Sequence, residues 1–353
     1  MFFRAGDIDT LALGSAVLGS GGGGNPYIGA LLLRQAMESS SVSQIEITPF
    51  DELDDSDFLI CSAGMGSPAI GIEKIPNGSE FVRSFRGLES FLHRSASHVS
   101  PIEIGGINSL VPLVVAVHSG LPVADGDGEG RAFPELQMTT FCGFGYSAAP
   151  VCMVEERGNT LIIRGISDWW TEKLARSATV SFGGRAEVAL YPLVGSDYRK
   201  GAIPGTLSMA LEIGRSLSEG IRNKNAEDEL ARSCHASLLF TGKLVDLKRY
   251  NTRGFAIGHA FIDGFDSYAH QRLKVSFQNE YLRATLGGDG AEPKVIESTP
   301  NIISIHDEST LLPITTDQLR YGMRCKVFSI PIHKKWLFEG AEKLVGLRAF
   351  NLE

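Results

Sequence analysis

The pattern of apolar and polar positions changes about two thirds of the way along the chain. In the first part, apolar residues at helical spacing alternate with short apolar runs, which is typical of a parallel or mixed sheet covered by helices. From residue 236 the apolar positions follow period two in short segments, which favours a sandwich or barrel. The pattern predicts an α/β domain with a mixed sheet and helices over residues 1–234 and a smaller β-rich domain over residues 235–353.

Local signals place individual elements within the first part. Asn25 followed by Pro26 is typical of a helix N-terminus, because Asn caps the first turn and Pro removes an N–H that would lack a partner. Gly158-Asn159 lies between two apolar runs and predicts a hairpin turn. That hairpin opens a candidate sub-domain at about 151–200.

One uncharged stretch is long enough to cross a membrane. Residues 104–124 contain no Asp, Glu, Lys or Arg. The stretch does contain Asn108, Pro112 and Pro122, whose cost in a bilayer is high. We therefore expect a buried helix followed by a buried strand, and no membrane span.

Charge and cysteine content narrow the class of protein. The net charge is −8 and no Lys/Arg run exceeds two residues, which argues against nucleic acid or an anionic membrane as partner. The five cysteines form no Cys-x-x-Cys pair, and Asp7 and Asp9 stand where a secretory segment would be basic and then apolar. These features predict a cytoplasmic protein.

A glycine run precedes the helix that Asn25 begins. Such a run exposes backbone N–H groups at the positive end of the helix dipole, which suits a phosphate, a carboxylate or another polarised group. No Lys-Ser/Thr follows, so the run is not a Walker A loop, and it follows a helix where a dinucleotide fingerprint follows a strand. The alternative is a flexible turn between helices. The candidate substrate-binding residues here are Gly21, Gly22, Gly23, Gly24 and Asn25.

The segment DGDGEGRAFPELQM, residues 125–138, carries the strongest candidate chemistry. It directly follows an apolar strand, and ligands of open α/β sheets bind beyond the carboxyl ends of strands. Asp125, Asp127 and Glu135 are the candidate catalytic carboxylates, acting as general base or as ligands of a divalent metal. Arg131 is a candidate for orienting the substrate. If residues 132–138 are helical, Glu135 lies about one turn past Arg131.

The same segment has two structural interpretations. Its alternating acids and glycines are also expected of a solvated acidic turn. Alternatively, Arg131 neutralises Asp125 and Glu135 in a buried ion cluster. The glutamate falls two positions too early for a calcium loop.

Two further glycine loops are expected at the same sheet edge. The segment AGMGSP, residues 63–68, follows one predicted strand, and IEIGGINS, residues 102–109, contains Glu103 within another. Glu103 and Asn108 are candidate substrate-binding residues, although Asn108 also fits a plain helix cap. Four loops would then converge on one pocket. Later in the chain, Asn279 and Glu280 fit either a turn or the same pocket.

Other familiar catalytic patterns are missing from the sequence. There is no Gly-x-Ser-x-Gly elbow, and the eight histidines show no paired metal-ligand spacing. Nothing marks Cys61 or Cys142 as an activated nucleophile. The sequence therefore leaves the metal and the cofactor undetermined.

Seven motifs in order resemble those of one family. They are LGSGGGGNP, AGMGSP, IEIGGIN, LPVADGDGEGRAFPELQM, GAIPGTLSMALEIG, FQNEYL and LRYGMRCKV. Together they resemble the S-methyl thiohydantoin desulfurase-like proteins, often associated with or fused to hydantoinase and oxoprolinase proteins. The chain departs from the family where members tend to have Pro-Asp-Leu-Ile and this chain has Asn301, and where Gly-Pro-Arg-Ala-Phe-Gly is replaced over residues 346–351.

The resemblance implies an N-terminal α/β domain, a smaller β-rich domain and chemistry on a small five-membered cyclic amide or thioamide. We therefore expect a hydrolase of a hydantoin-like or S-methyl thiohydantoin-like ring. The alternatives are a non-catalytic partner subunit of a hydantoinase- or oxoprolinase-type enzyme, or a small-ligand sensor. A homo-oligomer is a further expectation.

Overall fold

The chain forms two β-sheets, each covered in part by helices. The computed structural model describes residues 1–67, 70, 73–74, 76–288 and 291–352. A mixed sheet of eight strands forms in the first part of the chain and an antiparallel half-barrel sheet of seven strands in the second. This confirms the predicted fold class of an α/β part followed by a β-rich part.

The helices of the described residues lie mainly before residue 235. They are α1 (Ile8–Leu18), α2 (Pro26–Ser39), α3 (Ser79–Leu92), α4 (Val111–Ser119), α5 (Thr140–Gly143), α6 (Asp168–Ser181), α7 (Gly195–Gly201), α8 (Thr206–Asn223), α9 (Ala226–Cys234) and α10 (Ala341–Val345). A 3-10 turn, Gly106–Ser109, precedes α4. As predicted, Asn25 caps α2, because its side chain accepts a hydrogen bond from the N–H of Tyr27.

The strands follow in two groups. The first sheet contains β1 (Phe2–Arg4), β2 (Gln44–Thr48), β3 (Phe58–Gly66), β4 (His98–Pro101), β5 (Val123–Ala124), β7 (Val151–Val154), β8 (Thr160–Ile163) and β9 (Arg185–Val194). The second contains β11 (Ser237–Thr252), β12 (Phe255–Gly264), β13 (Gln271–Gln278), β14 (Glu280–Gly288), β15 (Ala291–Ser298), β16 (Ile302–Asp307) and β17 (Arg324–Ile330). A small ribbon pairs β6 (Gly126–Asp127) with β10 (Ile203–Pro204).

The order of strands brings the predicted loops to one edge. The first sheet runs β1-β2-β5-β4-β3-β9-β7-β8, with β2, β5, β4 and β3 parallel to one another. The segments after β3, β4 and β5 therefore leave the sheet on the same side. The predicted hairpin forms as β7 and β8 and extends this same sheet through β9. No helix of the described residues is long and apolar enough to cross a membrane.

Two glycines allow α1 and α8 to pack with their backbones in contact. A Cβ on Gly14 would lie 1.8 Å from the carbonyl oxygen of Ala210, and one on Gly214 would lie 1.9 Å from that of Thr10. Real side chains do not tolerate such distances to backbone atoms. The close approach holds α8 against the helix that leads into the glycine run.

We expect Gly214→Ala to lower the free energy of unfolding by about 2 kcal/mol, the cost of overpacking less the gain in helix propensity. Urea unfolding followed by circular dichroism measures this. Gly6→Ala is the matched control, because a Cβ on Gly6 would meet nothing within 4 Å. Equal midpoints for the two variants would contradict the close packing of α1 and α8.

Candidate active site

The four predicted loops line one cavity of about 80 Å³ at the edge of the first sheet. The glycine run contributes Gly23 and Gly24, and residues 63–67 line the cavity as well. The prediction that residues 63–66 form a loop is wrong, because β3 continues to Gly66 and pairs with β9 over this segment. Pro68, the last residue of the AGMGSP motif, lies outside the described residues. The remaining polar lining residues are Glu103, Asn108, Glu129, Glu135, Arg176, Arg185, Asn279 and Glu280.

The glycine run lies between the cavity and the second sheet. A Cβ on Gly22 would lie 2.0 Å from Oε1 of Glu280, and one on Gly21 would lie 2.3 Å from the ring of Tyr281. The N–H of Gly23 donates to Oε1 of Glu280 at 3.2 Å. Gly23 and Gly24 therefore face the cavity, whereas Gly21 and Gly22 are needed so that β14 can approach. Asn25 is occupied in capping α2 and does not line the cavity.

Asn108 connects two of the loops. Its side chain pairs with both backbone groups of Gly64, accepting from the N–H at 2.7 Å and donating to the carbonyl at 3.2 Å. The same amide donates to Oε1 of Glu103. The helix-cap interpretation of Asn108 is wrong, because Leu110 directly precedes α4 and no side chain caps it.

Glu103 follows a strand and is not inside one. The prediction that Glu103 lies within a strand is wrong. The strand β4 ends earlier, at Pro101, because proline has no N–H to continue the hydrogen bonds of the sheet. The chain then turns, and the Glu103 side chain enters the cavity lining with only 5% of the residue exposed.

The three alternating acids have three different environments. The carboxylate of Asp125 caps α8, accepting from the N–H groups of Leu207 and Ser208 at 2.9 and 3.2 Å. Both oxygens of Asp127 accept from the N–H of Gly130. Neither aspartate lines the cavity, whereas Glu129 does.

Arg131 is fully buried behind the cavity. Its guanidinium donates to the carbonyls of Pro300 and Asn301 at 2.8 and 2.6 Å and lies 4.4 Å from the centre of the Phe133 ring. Burial lowers the pKa of Arg131 to about 10, against the effect of Glu280, Glu129 and Glu103. The structural interpretation, in which Arg131 pairs with Asp125 and Glu135, is wrong, because the guanidinium donates to backbone carbonyls while Asp125 caps α8 and Glu135 accepts from Gln137.

A chain of contacts from the C-terminal residues holds the acidic segment. The indole N–H of Trp336 donates to the backbone carbonyl of Glu129 at 2.8 Å, and its ring packs edge-on against Phe133. Trp336 is almost completely buried. The residues after β17 thus fix the backbone from which Glu129 enters the cavity.

Glu135 lies at the outer end of the cavity, with its carboxylate accepting from the side chain of Gln137 at 2.6 Å. Residues 132–138 are not helical but form bends and turns, so Glu135 does not lie one helical turn past Arg131. Pro134 interrupts the helical pattern, and side chains of α6 form hydrogen bonds with the backbone of this segment instead. Arg176 donates to the carbonyl of Pro134, and Glu172 accepts from the N–H of Leu136.

Burial keeps the cavity's carboxyl groups largely protonated. Burial, together with neighbouring acids, raises the pKa values of Glu103 and Glu129 well above 4.5. Burial also raises the pKa of Glu280 to about 8, and there the charge of Arg131 opposes the rise. The pKa of Asp127 rises to about 8 for the same reason, burial. Among these buried carboxyl groups, Glu280 is the one whose ionisation the charge of Arg131 favours.

Several buried polar atoms at the cavity have no hydrogen-bond partner among the described residues. They are Oε2 of Glu103, Oε2 of Glu129, Oε2 of Glu280 and Nη2 of Arg185. An unpaired buried polar atom costs about 1–3 kcal/mol. Four of them around one small space indicate a site built to receive a polar ligand.

The donor set does not suit a metal ion. Within the described part of the chain, no group of three or more His, Cys, Asp and Glu side chains is arranged to hold one. Of the lining residues, the sequence does not single out Glu129, Arg176 or Arg185 as site residues. It does single out Gly23, Gly24, Glu103, Asn108 and Glu135, and it leaves Asn279 and Glu280 open between a turn and the pocket.

The comparisons identify the family. Family models of the S-Me-THD-like N-terminal domain and C-terminal domain match residues 6–165 and 166–353, so the chain belongs to the S-Me-THD-like family. A crystal structure of a protein from Chromobacterium violaceum has the same fold, with a TM-score of 0.82 and 23% identity over 100% of this chain and 97% of that one. No curated protein matches the chain in sequence.

Proposed function

We propose that the protein hydrolyses a small cyclic amide or thioamide of the hydantoin or S-methyl thiohydantoin type. The observation that carries this proposal is the set of three buried carboxyl groups, Glu103, Glu129 and Glu280, which line one small cavity and each keep one oxygen without a partner in the described structure. Membership of the S-Me-THD-like family supports the same substrate class.

The size and the chemistry of the cavity fit a five-membered ring. A volume of about 80 Å³ holds roughly five to eight water-sized groups. A cyclic amide presents its N–H and its C=O on the same edge, and a carboxylic acid complements that edge with one acceptor and one O–H donor. Glu103 and Glu129 are suited to this pairing because they stay protonated at neutral pH.

Glu280 is suited to act as the general base. Its pKa of about 8 is the result of burial opposed by Arg131, so about a tenth of the groups are ionised at pH 7 and about half at pH 8. The N–H of Gly23 fixes Oε1, which leaves Oε2 to accept a proton from water. Protonated Glu103 and Glu129 would donate hydrogen bonds to the oxygen or nitrogen on which negative charge develops.

The reaction consumes one water molecule. Its oxygen bonds to a ring carbon while Glu280 takes a proton, and the tetrahedral intermediate then collapses. With a hydantoin, the C–N bond breaks and the ring nitrogen takes up the proton. With an S-methyl thiohydantoin, the C–S bond breaks instead, and the products are methanethiol and the hydantoin.

To test the proposal, the protein is incubated with hydantoin, S-methyl thiohydantoin and 5-oxoproline, and the products are measured by mass spectrometry. We expect a product 18 mass units above the substrate for ring opening, or methanethiol for loss of the sulfur substituent. Saturable binding of these rings without any product would support the ligand sensor or partner subunit. If the protein neither binds nor converts any of these compounds, that result contradicts the substrate class. Cytoplasmic location and a hydantoinase- or oxoprolinase-type partner stay predictions.

A further inference from the structure

A second and larger space adjoins the cavity. It is a groove of about 760 Å³ along α6, and we call it the aromatic groove. Glu135 and Arg176 line both the cavity and the aromatic groove. These two side chains therefore form a wall common to both spaces, at the outer end of the proposed ring site.

The aromatic groove has apolar walls that do not help to pack α6 against the rest of the protein. The buried face of α6 is formed by other residues, including Thr171, Ala175 and Thr179. Trp169 and Trp170 line the groove with 53% and 45% of their surfaces exposed. Large aromatic side chains left in water next to a polar pocket mark a binding surface.

Cationic side chains hold the aromatic walls in place. The guanidinium of Arg176 lies 4.1 Å from the centre of the Phe255 ring, and the ammonium of Lys173 lies 4.7 Å from that of Trp170. Arg176 is itself fixed by Glu172 at 2.7 Å. The groove next to the cavity is thus formed before a ligand arrives, with aromatic faces on two sides.

We propose that the aromatic groove binds an aromatic substituent carried by the ring that fills the cavity, so that Trp170 is a specificity-determining residue. This inference rests on the proposed function. The cavity of about 80 Å³ has room for the ring alone, and the adjoining groove is the space into which a substituent extends past Glu135. Stacking on Trp170 would favour a planar group over an aliphatic one.

The test compares 5-benzylhydantoin with unsubstituted hydantoin. We expect kcat/KM to be at least about tenfold higher for the benzyl compound, and Trp170→Ala to remove that preference while hydantoin turnover changes less than about twofold. Tyr321→Ala is the control, because Tyr321 is 75% exposed and lies outside the groove. Equal turnover of the two rings by the unaltered protein, or a preference that survives Trp170→Ala, would overturn the inference.

A separate arm distinguishes failure of the groove from failure of the proposed function. If neither ring is turned over, the proposed function fails. Titration with 3-phenylpropionate, followed by quenching of tryptophan fluorescence, then shows whether the groove binds an aromatic group. Binding that Trp170→Ala abolishes and Tyr321→Ala preserves supports an aromatic site, and the absence of such binding overturns it. A dimer that dissociates on Trp170→Ala would assign the groove to a second copy of the chain, which also overturns the inference.

Discussion

Glu280→Gln is expected to lower kcat/KM for the cyclic substrate by about 10³-fold, because general-base catalysis contributes typically 10²–10⁴. Glutamine keeps the volume of the side chain and can still accept from the N–H of Gly23, but it cannot take a proton from water. In the unaltered protein kcat/KM should rise with pH through about 8 and level off above it, as Glu280 ionises. The residual activity of the variant should lack that rise.

Steady-state kinetics between pH 6 and 9 measure both effects. Glu292→Gln is the matched control, since Glu292 lies on β15 of the same sheet and is exposed. It makes the same chemical change away from the cavity, so its pH profile should match that of the unaltered protein. A Glu280→Gln enzyme with a full rate and an unchanged profile would remove Glu280 from the mechanism.

The free energy of unfolding should fall as the pH rises from 6.5 to 8. Burial raises the folded-state pKa values of Glu280 and Asp127 to about 8, whereas the unfolded chain releases those protons near its ordinary pKa. In this window the folded state therefore binds more protons, and each such group costs about 1.4 kcal/mol per pH unit. Because both groups are half ionised at pH 8, the two together give a loss of about 3 kcal/mol over this window, to which Glu103 and Glu129 add.

The expected loss is stated from pH 6.5 upward because, below that pH, buried histidines make the free energy of unfolding increase with pH. Burial lowers the pKa of His306 to about 4, so stability gained from His306 rises with pH until the unfolded histidine is neutral. Urea unfolding at several pH values gives the slope. Glu280→Gln should reduce the loss between pH 6.5 and 8 by about 2 kcal/mol. Equal slopes for the variant and the unaltered protein would contradict the buried, protonated state of Glu280.

Sequence patterns predicted the parts of the fold that depend on neighbouring residues. The cap at Asn25 and the hairpin around Gly158-Asn159 follow from backbone preferences of two or three residues, and the structure confirms both. The turn itself lies at Glu156-Arg157, two residues earlier than predicted, because the N–H of Gly158 bonds to the carbonyl of Glu155. The meeting of the loops after β3, β4 and β5 also follows from sequence, because parallel strands send their carboxyl ends to one edge.

The identity of the cavity residues depends on long-range contacts that the sequence does not display. Spacing alone does not distinguish Asp125, Asp127 and Glu129. The first is directed away by the N-terminus of α8, and the second by the N–H of Gly130. Glu280 reaches the cavity through a contact with Gly23, 257 residues earlier in the chain. Whether the candidate site residues are catalytic stays a prediction.

The bond from Trp336 to Glu129 spans 207 residues and has a consequence for synthesis on the ribosome. The cavity takes one wall from Gly23, another from Glu280 and its backbone support from Trp336, so nearly the whole chain must emerge before the walls meet. Until then, the acids that the finished protein keeps protonated are exposed to water and ionised. A ribosome-bound chain stalled before Trp336 should therefore remain inactive, and neither half of the molecule should recover activity by itself.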